Sequence, residues 1–460
     1  MKNRARIGYE IFPDRFFSSS QKKNTLDWNT PVKRKEKGAH QFEFYGGDLK
    51  GISQKLGYLD NLGIDFIYLT PVFEAVTNHR YDSTDFFKID PLLGDEKDLK
   101  ELIKRMHERN MRLCFDGVFN HISLKHDWYK NRKKNDFILH KNGKPTMWSG
   151  APGLPELNLD NKEVRDILWN DNNSVVKKWT SLGVDDWRLD CAYDIGYDYL
   201  TELTAALKDM GDHETIGEIW SYPGDWISDG VLDGVMNYYF RELIKAFVEG
   251  NIDGRLFNKM VDETVRECGA QNLLKSWNML SSHDTPRLKR DFGKLWKPAL
   301  VLQFTLPGSP LIYYGEELGL ESDTDPYCRQ PMPWDVAEKG NADLDFYKTL
   351  IKAFKSSKAL HSGDFKQLNC QDSDIIAFSR TTDDIRDYRV IAINPTNEKK
   401  DVRLITKESS LMNVSRVVDI FTGDKSTIYF SMIFSQIEPH SFRIYKLDIN
   451  ENGYSPYKRV

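Results

Sequence analysis

Short apolar runs of strand length alternate with helix-length amphipathic segments through roughly the first 360 residues, the pattern of a parallel α/β fold. The runs lie at 7–12, 66–69, 113–115, 184–189, 215–219, 234–237, 276–280 and 311–314. Eight strands with helices between them predict a (β/α)8 TIM barrel rather than an open doubly wound sheet, because no Gly-rich phosphate fingerprint follows the first run. One connection is longer than a barrel needs. Segment 120–158 follows the third strand, carries Trp128, Trp148 and several Gly and Pro residues, and predicts a small inserted domain that shapes a site. Beyond residue 361 the helical period gives way to short alternating runs, IIAFSR, RVIAIN and SFRIYKL, which predict a C-terminal antiparallel β-sandwich. The expected division is barrel at 1–119, inserted domain at 120–158, barrel again at 159–361, and β-sandwich with a loosely held polar tail at 362–460.

Composition narrows the function classes. With 40% hydrophobic and 29% charged residues the chain can bury a core and is not disordered. The net charge of −5 and scattered Lys and Arg exclude a nucleic-acid surface, and the one basic run, KRKEK at 33–37, reads as a solvated loop. No run approaches the ~20 apolar residues of a membrane span. The five cysteines are odd in number, widely spaced and without a CxxC pair, so they read as reduced thiols. The first residues lack the apolar core and cleavage site of a signal peptide, which points to a cytoplasmic protein.

Active sites of (β/α)8 barrels sit at the C-terminal ends of the strands, so the polar residues closing each apolar run carry the functional information. Asp116, Asn120 and His121 follow the third run; Arg188 and Asp190 close the fourth; Glu218 lies in the fifth; His283 and Asp284 follow the seventh. A single Asp at a strand end is more often a helix cap, and a single His more often packed than functional. Convergence from four strands reverses that reading. His121 and His283 lack the HxH or HExxH spacing of a zinc hydrolase. Cleaving a glycosidic bond, by contrast, needs one carboxylic acid and one carboxylate, which Glu218 and Asp190 supply. Arg188, two residues before Asp190 on the same strand face, is expected to hold Asp190 ionised, while Ile219 and Trp220 are expected to give Glu218 an apolar setting.

At these residues the chain resembles the α-amylase superfamily, glycoside hydrolase family 13. Its four short regions appear in order as DGVFNH (116–121), VDDWRLD (184–190), IGEIW (216–220) and SSHD (281–284). The resemblance implies Asp190 as nucleophile, Glu218 as general acid/base and Asp284 as transition-state stabiliser. It implies sugar contacts from Arg188, His121, His283 and Trp220, a stacking Tyr81 from HRYDSTDFFKIDP, and a structural Asp116. The stretches at 46–75 and 325–334 look most like cyclomaltodextrinases, neopullulanases and maltogenic amylases, and there Asp325 and Arg329 match contacts to the next sugar. LPELN at 154–158 resembles the MPKLN signature of that subgroup, departing at two positions.

That subgroup carries an additional N-terminal β-domain that helps form its dimer, whereas the first predicted strand begins here at Ile7; a monomer or a differently built homodimer is expected. No cofactor is required. Asn120 matches a calcium position of the family, so a bound Ca2+ is allowed. The expected activity is hydrolysis of α-1,4 bonds in maltooligosaccharides, cyclodextrins or starch fragments, with α-1,6 cleavage or transglycosylation alongside. The alternatives are an exo-acting α-glucosidase or oligo-1,6-glucosidase and, in another class, a non-catalytic glycan-binding relative.

Overall fold

The computed structural model describes residues 4–20, 24–406, 408–409 and 411–449; the polar tail expected beyond them lies outside the described residues. The eight apolar runs form a closed parallel barrel of β1 (Gly8–Ile11), β2 (Phe66–Leu69), β3 (Arg112–Gly117), β4 (Asp186–Leu189), β5 (Thr215–Ile219), β6 (Gly234–Asn237), β7 (Trp277–Asn278) and β8 (Ser309–Tyr313). Each strand pairs with its sequence neighbour, and β8 closes on β1. β7 is shorter than its apolar run. Past Asn278 side chains replace the ladder: Arg241 Nε donates to the Leu280 carbonyl at 3.0 Å, and the Ser282 N–H donates to Thr285 Oγ1 at 2.9 Å.

Side-chain alternation sorts each strand into two environments. Phe66, Tyr68, Cys114, Ile216, Met236, Trp277 and Leu311 fill the barrel interior, while Ile67, Leu113, Phe115, Trp187 and Leu189 join the larger core beneath the helices. The next inward positions toward the C-terminal ends are polar: Glu10, Asp116, Arg188 and Glu218. The interior plug thus ends directly under a charged layer.

The surrounding helices have ordinary causes. In Leu49–Leu62 the Asp48 carboxylate caps the Gly51 N–H at 2.6 Å, Gly63 ends the helix at φ 96°, and Leu49, Ile52, Leu56 and Leu59 form the buried stripe. Helix Trp296–Thr305 is buried all round from Pro298 onward, because it lies between the barrel and the C-terminal domain. Arg380 of that domain, itself fully buried, donates to the Thr305 carbonyl at 2.8 Å and to the Gly363 carbonyl at 2.8 Å.

Segment 120–158 carries a two-stranded hairpin, His140–Lys141 with Lys144–Pro145, and is tied down by bridges His121↔Glu156, Ile138↔Leu157 and Met147↔Pro155. A second hairpin, Phe73–Ala75 with Ser83–Ile89, follows β2 and was not legible as a strand pair, because its register is broken by bulges. Strands begin again at Asp364, immediately after the helix Lys358–Ser362. Among the described residues nine antiparallel strands there form one continuous ladder, and Val390, Ala392 and Tyr445 from one half pack with Val402, Leu404 and Ile433 from the other. All five cysteines are unpaired, and among the described residues no helix is long and apolar enough to cross a membrane.

Gly8 shows how tightly the barrel floor is packed. A Cβ there would stand 2.1 Å from Phe66 Cζ of the neighbouring strand. Gly8→Ala is therefore expected to destabilise the protein by ~1–3 kcal/mol through overpacking, read as a lowered Tm by circular dichroism.

Candidate active site

The site is built on one guanidinium. Asp116 on β3 lies opposite Arg188 on β4, whose other neighbour is Ile216 on β5, two residues before Glu218. Arg188, fully buried, sends Nη1 to Asp116 at 2.8 and 2.9 Å and to Asp190 Oδ1 at 2.8 Å. Its Nη2 stands 2.9 Å from Glu218 Oε2, an ion pair off hydrogen-bond alignment. Three carboxylates therefore share one positive charge. Asp116 is also bound by the Tyr68 hydroxyl at 2.6 Å and the Tyr81 hydroxyl at 3.0 Å, so it anchors the arginine rather than facing the cavity.

Glu218 is not in the apolar setting expected of it. One oxygen accepts from the Cys191 N–H at 3.0 Å and the other from Trp220 Nε1 at 3.1 Å. Trp220 itself is half exposed, held with its ring 3.7 Å from that of Tyr238.

Across the mouth, His283 is fully buried between two acids. Its Nδ1 meets Glu10 at 2.6 Å, and its Nε2 meets Asp284 Oδ2 at 2.9 Å and the Tyr81 hydroxyl at 2.6 Å. Arg329 donates to Asp284 at 3.0 Å and pairs with Asp325 at 2.8 Å. Asp190, Glu218, Asp284, Tyr81, His121, Trp220, Asp325 and Arg329 line one cavity of about 850 Å³. Arg188, His283 and Asp116 lie just behind its wall. Asn120 stays outside the lining, with Nδ2 3.4 Å from His121 Nδ1.

Several residues of the site were not read from sequence. Glu10 was overlooked inside the first apolar run, although a lone acid between Tyr9 and Ile11 in a buried strand was a usable signal. His79, Trp148, Leu154, Cys191 and Tyr193 also line the cavity. Trp148 stacks on His121 with centroids 5.0 Å apart, and Leu154 belongs to the LPELN segment. Their positions depend on how the inserted segment folds back.

Charge sharing decides the acidities. Burial pushes the Asp190 carboxyl up to about 8, Arg188 opposing and Glu218 adding to the rise. Burial raises Asp116 in the same way against Arg188. Arg188 acts on Asp190 in the expected direction, but its charge is divided among three acids and burial outweighs it. Burial drives His121 down to about 4, leaving a neutral imidazole. Burial also opposes charge on His283, but Asp284 and Glu10 outweigh it and push its pKa up to about 10. Asp284 is held well below the usual carboxylate range: burial would raise it, but His283 and Arg329 prevail.

Calcium takes 6–8 oxygen ligands. Among the described residues the one cluster of three or more His, Cys, Asp and Glu donors is His121, Asp190 and Cys191, with a single carboxylate. A thiol, an imidazole and one carboxylate are not by themselves a calcium donor set.

The raised pKa of His283 makes stability depend on pH with a definite sign. Its contribution is complete below the unfolded value of about 6.5 and is lost as pH climbs towards about 10. The Tm difference between the wild type and His283→Asn is expected to shrink steadily from pH 6.5 to 10; a constant difference would contradict the ion-pair reading.

The family profile described as alpha amylase, catalytic domain, matches residues 10–368. Neopullulanase 2 of Thermoactinomyces vulgaris is 33% identical over 433 residues, covering 87% of this chain and 71% of that one. Cyclomaltodextrinase of Geobacillus thermopakistaniensis is 31% identical over 472 residues, covering 96% and 77%. Among solved structures, ligand-free cyclic α-maltosyl-(1→6)-maltose hydrolase from Arthrobacter globiformis superposes with a TM-score of 0.82 at 27% identity, covering 96% of this chain and 99% of that one. A profile match that runs through the barrel and all four motif regions, with relatives above 30% identity along most of the chain, places this protein in the α-amylase family of glycoside hydrolases.

Proposed function

We propose that the protein is a retaining α-glucan hydrolase that cleaves α-1,4 bonds in maltooligosaccharides, cyclodextrins or starch fragments, with α-1,6 cleavage as a second activity. The observation that carries this reading is the Arg188 bridge between Asp190 and Glu218, which holds two carboxyls at the wall of one cavity. Retaining enzymes set their two carboxyls about 5 Å apart, and two acids held on one guanidinium suit that close spacing.

In this mechanism Asp190 attacks the anomeric carbon while Glu218 protonates the departing glycosidic oxygen. The reaction needs one carboxylic acid and one carboxylate, and the pair Glu218 and Asp190 supplies the two groups. The Arg188 charge, 2.8 Å from Asp190 Oδ1, favours the ionised nucleophile. Glu218, now ionised, then draws a proton from water, which attacks the glycosyl ester and frees Asp190. Asp284, kept anionic by His283 and Arg329, stabilises the positive charge that develops on the sugar ring. Tyr81 offers its ring as a platform, and His121, a neutral imidazole whose Nε2 has no protein partner, is suited to a sugar hydroxyl. Asp325, Arg329 and Trp220 extend the contacts to the leaving side, and the segment 120–158 forms the facing wall. The names of the relatives, neopullulanase and cyclomaltodextrinase, favour oligosaccharide and ring substrates.

Two measurements test the reading. Glu218→Gln is expected to slow turnover of maltotriose by about 10²–10⁴-fold and Asp190→Asn by at least as much; wild-type turnover in either would remove the assignment. With β-cyclodextrin, chromatography should find the ring opened and maltose accumulating. Single glucose units released from linear chains, with the ring untouched, would instead mark an exo-acting α-glucosidase.

A further inference from the structure

We propose that His121, Asp190 and Cys191 form a binding site for a thiophilic divalent cation, Zn2+ above all, and that its occupancy blocks the active centre. The blocking effect rests on the catalytic reading above; the metal site does not.

Cys191 is the unexplained residue of the pocket. Glycoside hydrolysis has no use for a thiol, yet its Sγ lies 3.1 Å from Asp190 Oδ2 and it lines the cavity. It adopts φ 48°, a left-handed conformation that a residue with a Cβ enters at a cost of about 1–2 kcal/mol. His121, 1% exposed, keeps Nε2 without any hydrogen-bond partner. One donor atom from each of His121, Asp190 and Cys191 lies within 4.8 Å of the others.

Imidazole nitrogen, thiolate sulfur and one carboxylate oxygen make up a zinc donor set, not a calcium or magnesium one. Zn–S near 2.3 Å and Zn–N and Zn–O near 2.0 Å put tetrahedral donors about 3.5 Å apart, so side-chain shifts of about an ångström close the site. All three residues line the cavity. On coordination the Cys191 thiol gives its proton to solvent, and the ion adds positive charge beside three carboxylates that share one guanidinium. An ion there occupies Asp190 and the His121 nitrogen together, so it excludes sugar.

Equilibrium dialysis of the metal-stripped protein against ZnCl2 should give one zinc per chain, displaced by a non-hydrolysable thio-linked maltooligosaccharide. Cobalt in place of zinc should produce a thiolate-to-metal charge-transfer band. Cys191→Ser and His121→Asn should each weaken zinc binding by at least about tenfold, and zinc inhibition, normalised to each variant's own zinc-free rate, should weaken in parallel. Absence of the cobalt band, or zinc binding unchanged in both variants, overturns the site. The band is read on the wild type, so a misfolded variant does not spare the proposal. A band that persists without competition from the glucan analogue would support the metal site and count against the glucan reading.

Discussion

Arg188 is the interaction on which the rest of the site depends. It stands above an apolar plug of Phe66, Tyr68, Met236 and Trp277 and is fully buried, so its charge must be met locally. Asp116 and Glu218 meet it from the two flanking strands and Asp190 from the end of its own, and the tyrosines at 68 and 81 fix Asp116 from the other side. Because the acids outnumber the guanidinium, none of them is neutralised on its own. Burial raises the Asp116 and Asp190 carboxyls against the one guanidinium they share.

The second ion cluster has the opposite balance. His283 lies between Glu10 and Asp284, and Arg329 supports Asp284 from the next loop. Two cations hold this acid firmly anionic, where the first cluster leaves its acids poised between states. Tyr81 joins the two clusters, touching both Asp116 and His283. Asp190 and Asp284, both buried, thus differ in acidity because of the charges each one can reach, not because of their own chemistry.

The barrel was legible because its physics is local and repeated. Short apolar runs between helix-length amphipathic segments marked all eight strands, and the polar residues at four of them marked the site. Where that local signal failed, the cause can be named. β7 ends early because Arg241 and Thr285 take over its hydrogen bonds, and the hairpin after β2 is masked by bulges. Glu10 was hidden by the apolar residues around it, and Trp148 and Leu154 reach the cavity only because bridges fold the inserted segment back over it.

From the sequence alone came the fold class and, through four short motifs that resemble the α-amylase family, Asp190, Glu218 and Asp284 as the acids to weigh, since apolar runs and motifs are written in consecutive residues. Only the tertiary structure decided their electrostatics. The polar contacts around Glu218, the division of the Arg188 charge among three acids and the cation held at His283 all arise between strands far apart in the chain. The acidity of a buried group is set by every charge and hydrogen bond that reaches it through space, and one-dimensional order does not encode those distances.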